Sequence, residues 1–146
     1  MLGSGGTAPA AVVALAGLGV TDIVVAARNA AAAARLVELG ARLGVATSFC
    51  DVANAAELSD RAARTDVLVS TIPADAAACY AAALAAVPVL LDAIYDPWPT
   101  PLARAVAERG GEVISGLQML LHQAFSQVEQ FTGRPAPRQQ MAAALG

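Results

Sequence analysis

The sequence predicts an α/β fold in which a doubly wound parallel sheet carries helices on both of its faces. Two observations support this prediction. Strand-like runs and helix-like runs alternate along nearly the whole chain, and this order builds a parallel sheet covered by helices. A glycine-rich turn lies near the start, directly ahead of the first helix-like run, which is where such a sheet carries a ligand-binding loop.

The individual elements are predicted from apolar periodicity and from residues that favour helix starts. Asn54 and Glu57 have the spacing of a capping box, and Thr100-Pro101 is typical of a helix start. Helices are predicted at residues 7–18, 30–43, 54–64, 76–86 and 116–131 and from Thr100 onward, and strands at residues 22–27, 45–49, 67–70, 89–91 and 112–115.

Length and composition narrow the class of protein. The 146 residues amount to one domain, long enough to bury a core. The charge-free stretches are interrupted by Gly or Pro, so no membrane span is predicted. A net charge of −3 with no basic cluster argues against nucleic-acid binding. No basic region precedes an apolar one at the start, so no signal peptide is predicted and we expect a cytoplasmic protein.

The cysteines and the histidine do not predict a metal or redox site. Cys50 and Cys79 stand far apart with no further thiol or histidine at metal-ligand spacing, and we expect both to be small core residues. His122 is the only histidine, which excludes a site built from several histidines. We expect it to be a helix-surface or packing residue.

The turn Gly3-Ser4-Gly5-Gly6-Thr7-Ala8 fits the fingerprint of Rossmann-like dinucleotide-binding domains. In that fingerprint one glycine permits the tight turn, the next lets the backbone approach a pyrophosphate, and a small third residue allows close helix packing. Only Met1 and Leu2 precede Gly3, so the first strand is predicted to be truncated. The alternative is an ordinary strand-to-helix loop, because glycine-rich turns are common.

Arg28 distinguishes between the two nicotinamide cofactors. It follows the second predicted strand, about twenty residues after the glycine turn, where an NAD site places Asp or Glu to bind the ribose 2′-hydroxyl. A guanidinium there offers a bidentate partner for a 2′-phosphate. The sequence therefore predicts NADP as the cofactor.

The run from Gly116 to Phe131 departs from a simple surface helix. At 3.6 residues per turn, Met119 and Gln123 project away from an apolar stripe. They face either solvent or a cleft shared with a second domain. The stripe consists of Leu117, Leu120, Leu121, Ala124, Phe125, Val128 and Phe131.

Together with the glycine turn, three further blocks make the chain resemble the cofactor half of shikimate dehydrogenase over its whole length. The order and spacing of the blocks match that family, and the second and third are far more specific than the glycine turn. The blocks are Val69-Ser70-Thr71-Ile72-Pro73, Asp92-Ala93-Ile94-Tyr95-Asp96-Pro97-Trp98-Pro99-Thr100-Pro101-Leu102 and Gly116-Leu117-Gln118-Met119-Leu120-Leu121-His122-Gln123-Ala124.

The resemblance implies a two-domain enzyme of aromatic biosynthesis that reduces 3-dehydroshikimate to shikimate with NADPH. Residues 1–146 would form the NADP-binding domain. The N-terminal domain, which carries most of the substrate site, would be absent from this chain. Residues 116–146 would form helices that pack back toward that missing domain.

The resemblance also implies roles for individual residues. Tyr95 and Gln123 would reach across the cleft to the hydroxyls or the carboxylate of shikimate. Gly116 would let the nicotinamide end of the cofactor approach the backbone. The remaining cofactor-binding residues would be Gly3, Ser4, Gly5, Gly6, Thr7, Arg28, Asn29, Thr71 and Ala93.

The chain departs from the family pattern in two ways. Where the family has N-R-T-x-x-R, this chain has Ala27-Arg28-Asn29-Ala30-Ala31-Ala32, so one of two arginines is missing. The family's lysine and aspartate that carry the proton chemistry lie in the N-terminal domain, and this chain contains no lysine. No catalytic residue is therefore expected here, and the chain alone is expected to be inactive.

Two alternatives remain open at this point. Asp92 and Tyr95 either face a ligand crevice or only cap and pack the end of a strand. The chain itself is either the cofactor half of an enzyme or a stand-alone nucleotide-binding or regulatory module. The presence of Tyr95 and Gln123 favours the enzyme, because a module without a substrate has no role for them.

Overall fold

The computed structural model describes residues 1–145 and contains five parallel strands. β1 (Asp22–Ala27) pairs with β2 (Ala46–Asp51). In the other half of the sheet, β4 (Val89–Asp92) lies between β3 (Leu68–Ser70) and β5 (Glu112–Ser115). All neighbouring strands run parallel, as the sequence predicts.

Leu2 joins the two halves of the sheet. It bridges Ala26 of β1 on one side and Ser70 of β3 on the other, so the order across the sheet is β2-β1-Leu2-β3-β4-β5. Four backbone hydrogen bonds of 2.7–2.9 Å hold residues 1–3 in place. Met1 and Leu2 thus occupy the central position of the sheet, between β1 and β3.

The helices divide between the two faces of the sheet. α1 (Ala8–Gly17) and α2 (Ala30–Arg42) cover one face. The other face carries α3 (Ala55–Ala62), α4 (Ala74–Ala78), α5 (Ala81–Leu84) and α6 (Pro101–Glu108). Each face has its own apolar cluster, which confirms the doubly wound arrangement. None of the helices within residues 1–145 is both long and apolar enough to cross a membrane.

One predicted helix is wrong in its details. The run predicted as a single helix at 76–86 forms α4 and α5, with a break at Cys79 and Tyr80. A run of alanines carries no stop signal, so propensity alone extends the helix. In the folded chain the break lets Ala77 and Leu84 both reach the same apolar cluster, with Tyr80 packed against it.

The C-terminal part consists of α7 (Gly116–Thr132) and the short α8 (Arg138–Ala143), and Gly146 lies outside the described residues. The Arg138 guanidinium lies 5.2 Å from the centre of the Phe125 ring and holds α8 against α7. His122 is exposed and contacts the same ring edge-on, as expected of a packing residue.

The apolar stripe of α7 is only partly buried. Phe125 is buried and Leu121 is half-buried, but Leu120 is exposed and 86% of the Phe131 surface is accessible. The seven residues of the apolar stripe therefore differ in burial: Phe125 lies in the core, whereas Leu120 and Phe131 are exposed. Leu120 and Phe131 lie about 50 to 70° from the stripe's centre at 3.6 residues per turn, on the edge nearest to Gln123.

The α-amine of Met1 is buried, and it donates a 2.6 Å hydrogen bond to the Val24 carbonyl. Burial lowers the pKa of this amine from 8.0 to about 6. Between those pH values the unfolded chain binds a proton that the folded chain does not, so stability rises with pH. In a chain that begins at Met1, we expect the free energy of unfolding to fall by roughly 2 to 3 kcal/mol from pH 8.5 to pH 5.5.

Urea unfolding across this pH range measures the effect. Acetylation of Met1 is the control, because an amide N–H keeps the hydrogen bond to Val24 but does not titrate. An equal loss of stability in the acetylated chain would assign the pH dependence to another group.

Candidate nucleotide-binding cleft

The carboxyl ends of the strands bring the predicted cofactor residues into one row. Arg28 follows β1, Gly3 follows Leu2, Thr71 follows β3, Ala93 follows β4 and Gly116 follows β5. Neighbouring strands are about 4.8 Å apart, so this row spans about 19 Å. It contains the point at which the chain reverses its direction across the sheet, and α/β proteins bind ligands at such points.

The glycine turn forms the centre of the row. Gly3 has a φ of +107°, and a Cβ there would lie 2.6 Å from both Thr71 Oγ1 and Ile72 Cγ2. Gly5 and Gly6 have nothing within 4 Å of an added Cβ, so their backbone is open to a ligand. The turn therefore has one glycine required by the fold and two that leave space for close approach.

The start of α1 supplies hydrogen-bond donors to this space. Within residues 1–145, the N–H groups of Gly5, Gly6 and Thr7 have no backbone or side-chain acceptor. Unpaired N–H groups at a helix start attract phosphate groups, and the helix dipole adds to this attraction. The local chemistry therefore suits a pyrophosphate.

Arg28 and Asn29 line a cleft of about 270 Å³ together with Gly3, Ser4 and Gly5 of the glycine turn. Arg28 is exposed and forms no salt bridge with any of residues 1–145. Asn29 caps α2, because its side-chain oxygen accepts a 3.0 Å hydrogen bond from the N–H of Ala32. A structural role thus accounts for the side chain of Asn29, whereas the Arg28 guanidinium is free to bind an anion.

Several residues of the cleft carry no motif and were not predicted. Ile72, Pro73, Ala76, Cys79 and Tyr80 line the same cleft as Arg28. Cys50 is buried as expected, but Cys79 is exposed in this cleft, so its prediction as a core residue is wrong. The break between α4 and α5, which the alanine-rich sequence does not indicate, turns Cys79 out of the core.

Arg35 is a further residue near the glycine turn that no sequence motif indicates. It lines a second cavity together with Ala32 and with Ser4, Gly5 and Gly6 of the glycine turn. Arg35 lies one helical turn beyond Ala32, on a neighbouring part of the same helix face. It therefore adds a second positive charge beside the turn.

A buried polar cluster anchors the loop that follows β4. The Thr100 hydroxyl donates a 2.7 Å hydrogen bond to Asp92 Oδ2, and both residues are fully buried. Tyr95 lies between them in sequence and is 51% exposed. The two residues therefore differ. Asp92 caps the strand end, whereas Tyr95 projects from the fold and is accessible to a ligand.

Gly116 packs tightly against this loop. Its N–H donates a 3.2 Å hydrogen bond to the Ile94 carbonyl. A Cβ on Gly116 would fall onto the carbonyl oxygen of Ala93 and lie 2.6 Å from its carbonyl carbon. The close approach at this end of the row therefore requires glycine.

Gln123 stands on the exposed side of α7. Gly116, Leu120 and Gln123 follow the i, i+4, i+7 spacing of one helix face, and both side chains on that face are exposed. Gln123 lies about 10 Å along the helix axis from Gly116. Met119 is half-buried beside this face.

No group of three potential metal ligands occurs within residues 1–145.

Comparison with known proteins identifies relatives for the whole chain. Residues 116–145 match the family model of the shikimate 5'-dehydrogenase C-terminal domain. The shikimate dehydrogenase (NADP(+)) of Anaeromyxobacter dehalogenans is 36% identical, over 99% of this chain and 52% of the relative. That of Methylobacterium radiotolerans is 34% identical, over 94% of this chain and 48% of the relative.

Solved structures agree with the sequence comparison. The crystal structure of Mycobacterium tuberculosis shikimate dehydrogenase is 72% identical and superposes with a TM-score of 0.95, over 99% of this chain and 54% of that one. A shikimate 5-dehydrogenase from Mycobacterium fortuitum is 65% identical with a TM-score of 0.94. The chain thus spans about half the length of these relatives.

Proposed function

Because this chain belongs to the shikimate dehydrogenase family as the counterpart of its C-terminal half, we propose that it is the NADP-binding half of such an enzyme. The single observation that carries the proposal is the row of strand ends from Arg28 to Gly116. One extended dinucleotide laid along this row meets a free cation at one end and a tight glycine contact at the other.

The residues of the row fit the chemical parts of NADP. The open N–H groups of Gly5, Gly6 and Thr7 would hold the pyrophosphate, with Ser4 and Gly3 shaping the turn. Arg28 would hold the 2′-phosphate, with Asn29 orienting the start of α2 beside it. Arg35 would supply the second positive charge that Ala32 does not provide.

At the other end, Thr71, Ala93 and Gly116 would line the nicotinamide half of the cofactor. The Thr71 side chain donates a 3.1 Å hydrogen bond to the Leu2 carbonyl, which fixes it beside the glycine turn. Bound NADPH supplies the hydride for reduction of 3-dehydroshikimate to shikimate. Tyr95 and Gln123 would orient the substrate by hydrogen bonds from an exposed phenol and an exposed amide.

This chain supplies neither the lysine nor a free histidine to provide the proton that the reduction also requires. Hydride addition to a ketone leaves an alkoxide, which must be protonated by a general acid. Lysine is absent, and the only histidine packs against Phe125 outside the row. We therefore assign the general acid to an N-terminal substrate domain, toward which the helices of residues 116–146 would pack.

The cofactor assignment is tested by Arg28→Ala in the 146-residue chain. Loss of a charge-assisted hydrogen bond to the 2′-phosphate is worth about 1.5 to 3 kcal/mol. We therefore expect the Kd for NADP+ to rise about 10- to 150-fold. The Kd for NAD+ should hardly change. Isothermal titration calorimetry with both cofactors measures the two values.

Arg104→Ala serves as the matched control, since Arg104 is an exposed arginine on α6, away from the row. It should leave both affinities unchanged. Equal losses of NADP+ and NAD+ affinity in Arg28→Ala would contradict the assignment of this side chain to the 2′-phosphate.

The enzymatic part of the proposal is tested in a fusion. The matched half of Mycobacterium tuberculosis shikimate dehydrogenase is replaced by this chain, and shikimate-dependent reduction of NADP+ is measured. We expect activity in the fusion and none in the 146 residues alone. Turnover by the pure chain would mean that the general acid has been placed in the wrong domain.

A stand-alone nucleotide-binding or regulatory module is the alternative. Such a module would bind NADP+ in the titration but would not support turnover in the fusion. The exposed positions of Tyr95 and Gln123 favour the enzyme, because a module that binds only the cofactor needs neither side chain.

A further inference from the structure

We propose that Asp92 and Thr100 are positioning residues, which together hold the loop of residues 93–99 so that Ala93 and Tyr95 face the cofactor and the substrate. This inference rests on the proposed function and deepens it. Nothing in the chemistry of hydride transfer requires these two side chains, since both are fully buried and cannot touch a ligand.

The first step is that one hydrogen bond closes the loop at its base. Asp92 is the last residue of β4, and Thr100 is the N-cap residue of α6. The Thr100 hydroxyl and Asp92 Oδ2 are 2.7 Å apart. A short hydrogen bond to a buried carboxyl group is among the stronger ones in proteins, because no water competes for it. The seven residues between them are thereby tied into one closed loop.

The second step is that each partner makes one further hydrogen bond. Asp92 Oδ1 accepts a 3.2 Å hydrogen bond from the Ile94 N–H, which fixes the direction in which the loop leaves the strand. Thr100 Oγ1 accepts a 3.1 Å hydrogen bond from the Ala103 N–H, which fixes the start of α6. The network therefore connects a strand, a loop and a helix through two side chains.

The third step is that this network aligns the ligand-facing backbone. The Ala93 N–H donates to the Ser70 carbonyl at 2.9 Å, and the Ile94 carbonyl accepts from Gly116 at 3.2 Å. Both of these bonds belong to residues within two positions of Asp92. A change at the base of the loop would therefore move Ala93 and Gly116 together.

The fourth step is that the tip of the loop has no comparable anchor. Tyr95 is 51% exposed and Trp98 is 40% exposed. No side chain from residues 95–98 makes a hydrogen bond within residues 1–145. Within residues 1–145, the Tyr95 side chain therefore has no hydrogen bond of its own to fix its position, whereas both ends of its loop are hydrogen-bonded.

Ser70 provides a matched control within the same cluster. It is the register partner of Asp92 and is fully buried. Its hydroxyl has no hydrogen-bond partner within residues 1–145. Ser70→Ala therefore removes a buried hydroxyl beside Asp92 without touching the network, and it should leave the loop in place.

The experiment compares Thr100→Val with Thr100→Ser. Valine keeps the shape of threonine but can neither donate to Asp92 nor accept from Ala103, whereas serine keeps both hydrogen bonds. In the fusion, we expect Thr100→Val to raise the KM for shikimate and to lower kcat/KM by about 10- to 100-fold. The Kd for adenosine 2′,5′-bisphosphate, which probes only the Arg28 end, should stay within about twofold. Thr100→Ser and Ser70→Ala should stay close to the unmodified fusion.

A second measurement does not depend on activity. Trp98 is the only tryptophan of the chain, so its fluorescence in the 146-residue chain reports on the loop. Acrylamide quenching should increase in Thr100→Val but not in Thr100→Ser or Ser70→Ala. Thr100→Ala, which removes both hydrogen bonds of the hydroxyl and adds no bulk, replaces Thr100→Val if the valine variant does not fold.

The outcomes separate the two proposals. An inactive unmodified fusion contradicts the proposed function, and the quenching then decides the role of the loop base by itself. An active fusion in which Thr100→Val keeps its KM, its kcat and its quenching contradicts the positioning role. A lower melting temperature with unchanged kinetics in the folded fraction assigns Asp92 and Thr100 to stability alone.

Discussion

Gln123→Ala should lower the kcat/KM for shikimate by one to three orders of magnitude in the fusion enzyme. The amide stands on the exposed face of α7 that begins at Gly116, about 10 Å from the end of the row. A substrate hydroxyl or carboxylate that loses its partner in a closed, water-poor cleft remains unpaired there, and such a loss is costly. Steady-state kinetics with shikimate as the varied substrate measure the effect.

The melting temperature of Gln123→Ala should move little, because the residue lies outside the core. Gln127→Ala is the control, as Gln127 lies one turn further along the same helix face and is also exposed. It should keep nearly full activity. If Gln123→Ala instead melts several degrees lower while its folded fraction keeps normal kinetics, Gln123 is a structural residue.

Gly116→Ala should damage the fold and the cofactor site at the same time. The new methyl group would fall onto the Ala93 carbonyl oxygen, so either the loop or the start of α7 must move. Overpacking of this kind costs about 1 to 3 kcal/mol, only partly offset by the higher helix propensity of alanine. We expect a fall in melting temperature of several degrees and at least a tenfold loss of NADP+ affinity.

Gly17→Ala separates this clash from the general effect of replacing a helical glycine. Gly17 is the last residue of α1, and a Cβ there meets nothing within 4 Å. This variant should be as stable as the original chain or slightly more stable. Thermal unfolding and NADP+ titration of both variants make the comparison. Equal stability of Gly116→Ala and the original chain would show that the loop moves aside at little cost.

Local patterns predict most of the fold correctly. The strands at 22–27 and 112–115 have the bounds expected from sequence, because apolar runs between turn residues leave little choice of register. Asn54 caps α3 as its spacing with Glu57 indicates, with a 3.2 Å hydrogen bond from the Glu57 N–H. These features depend only on neighbours in the chain, which is why sequence reveals them.

Features that depend on distant contacts were missed. The break at Cys79 and Tyr80 arises from packing against the sheet, which an alanine-rich run does not encode. The exposure of Leu120 and Phe131 depends on which surfaces cover α7, and helix periodicity alone does not reveal those surfaces. Likewise, the cleft residues that accompany Arg28 share no sequence motif; they are Ile72, Pro73, Ala76, Cys79 and Tyr80.

In the candidate site too, features that depend on neighbouring residues are predictable from sequence, and features that depend on distant contacts are not. The glycine turn and Arg28 are visible in sequence because their chemistry depends on residue type and spacing. The bond between Asp92 and Thr100 joins residues eight positions apart around a loop, and only the folded structure shows that both side chains turn inward. Of the two alternatives that the sequence leaves open for Asp92, the geometry favours capping, because its carboxylate is fully buried and accepts hydrogen bonds from Ile94 and Thr100.

The position of Leu2 between β1 and β3 also predicts an effect of ligand binding on stability. Among the described residues, 1–3 provide the backbone hydrogen bonds that link β1 to β3. A dinucleotide bound across Gly3 would contact both halves of the sheet and hold them together. At a hundred times its Kd, a ligand that binds only the folded chain stabilises it by about 2.7 kcal/mol. Cofactor binding would thus stabilise the centre of the sheet against unfolding, in addition to its role in the reaction at the sheet edge.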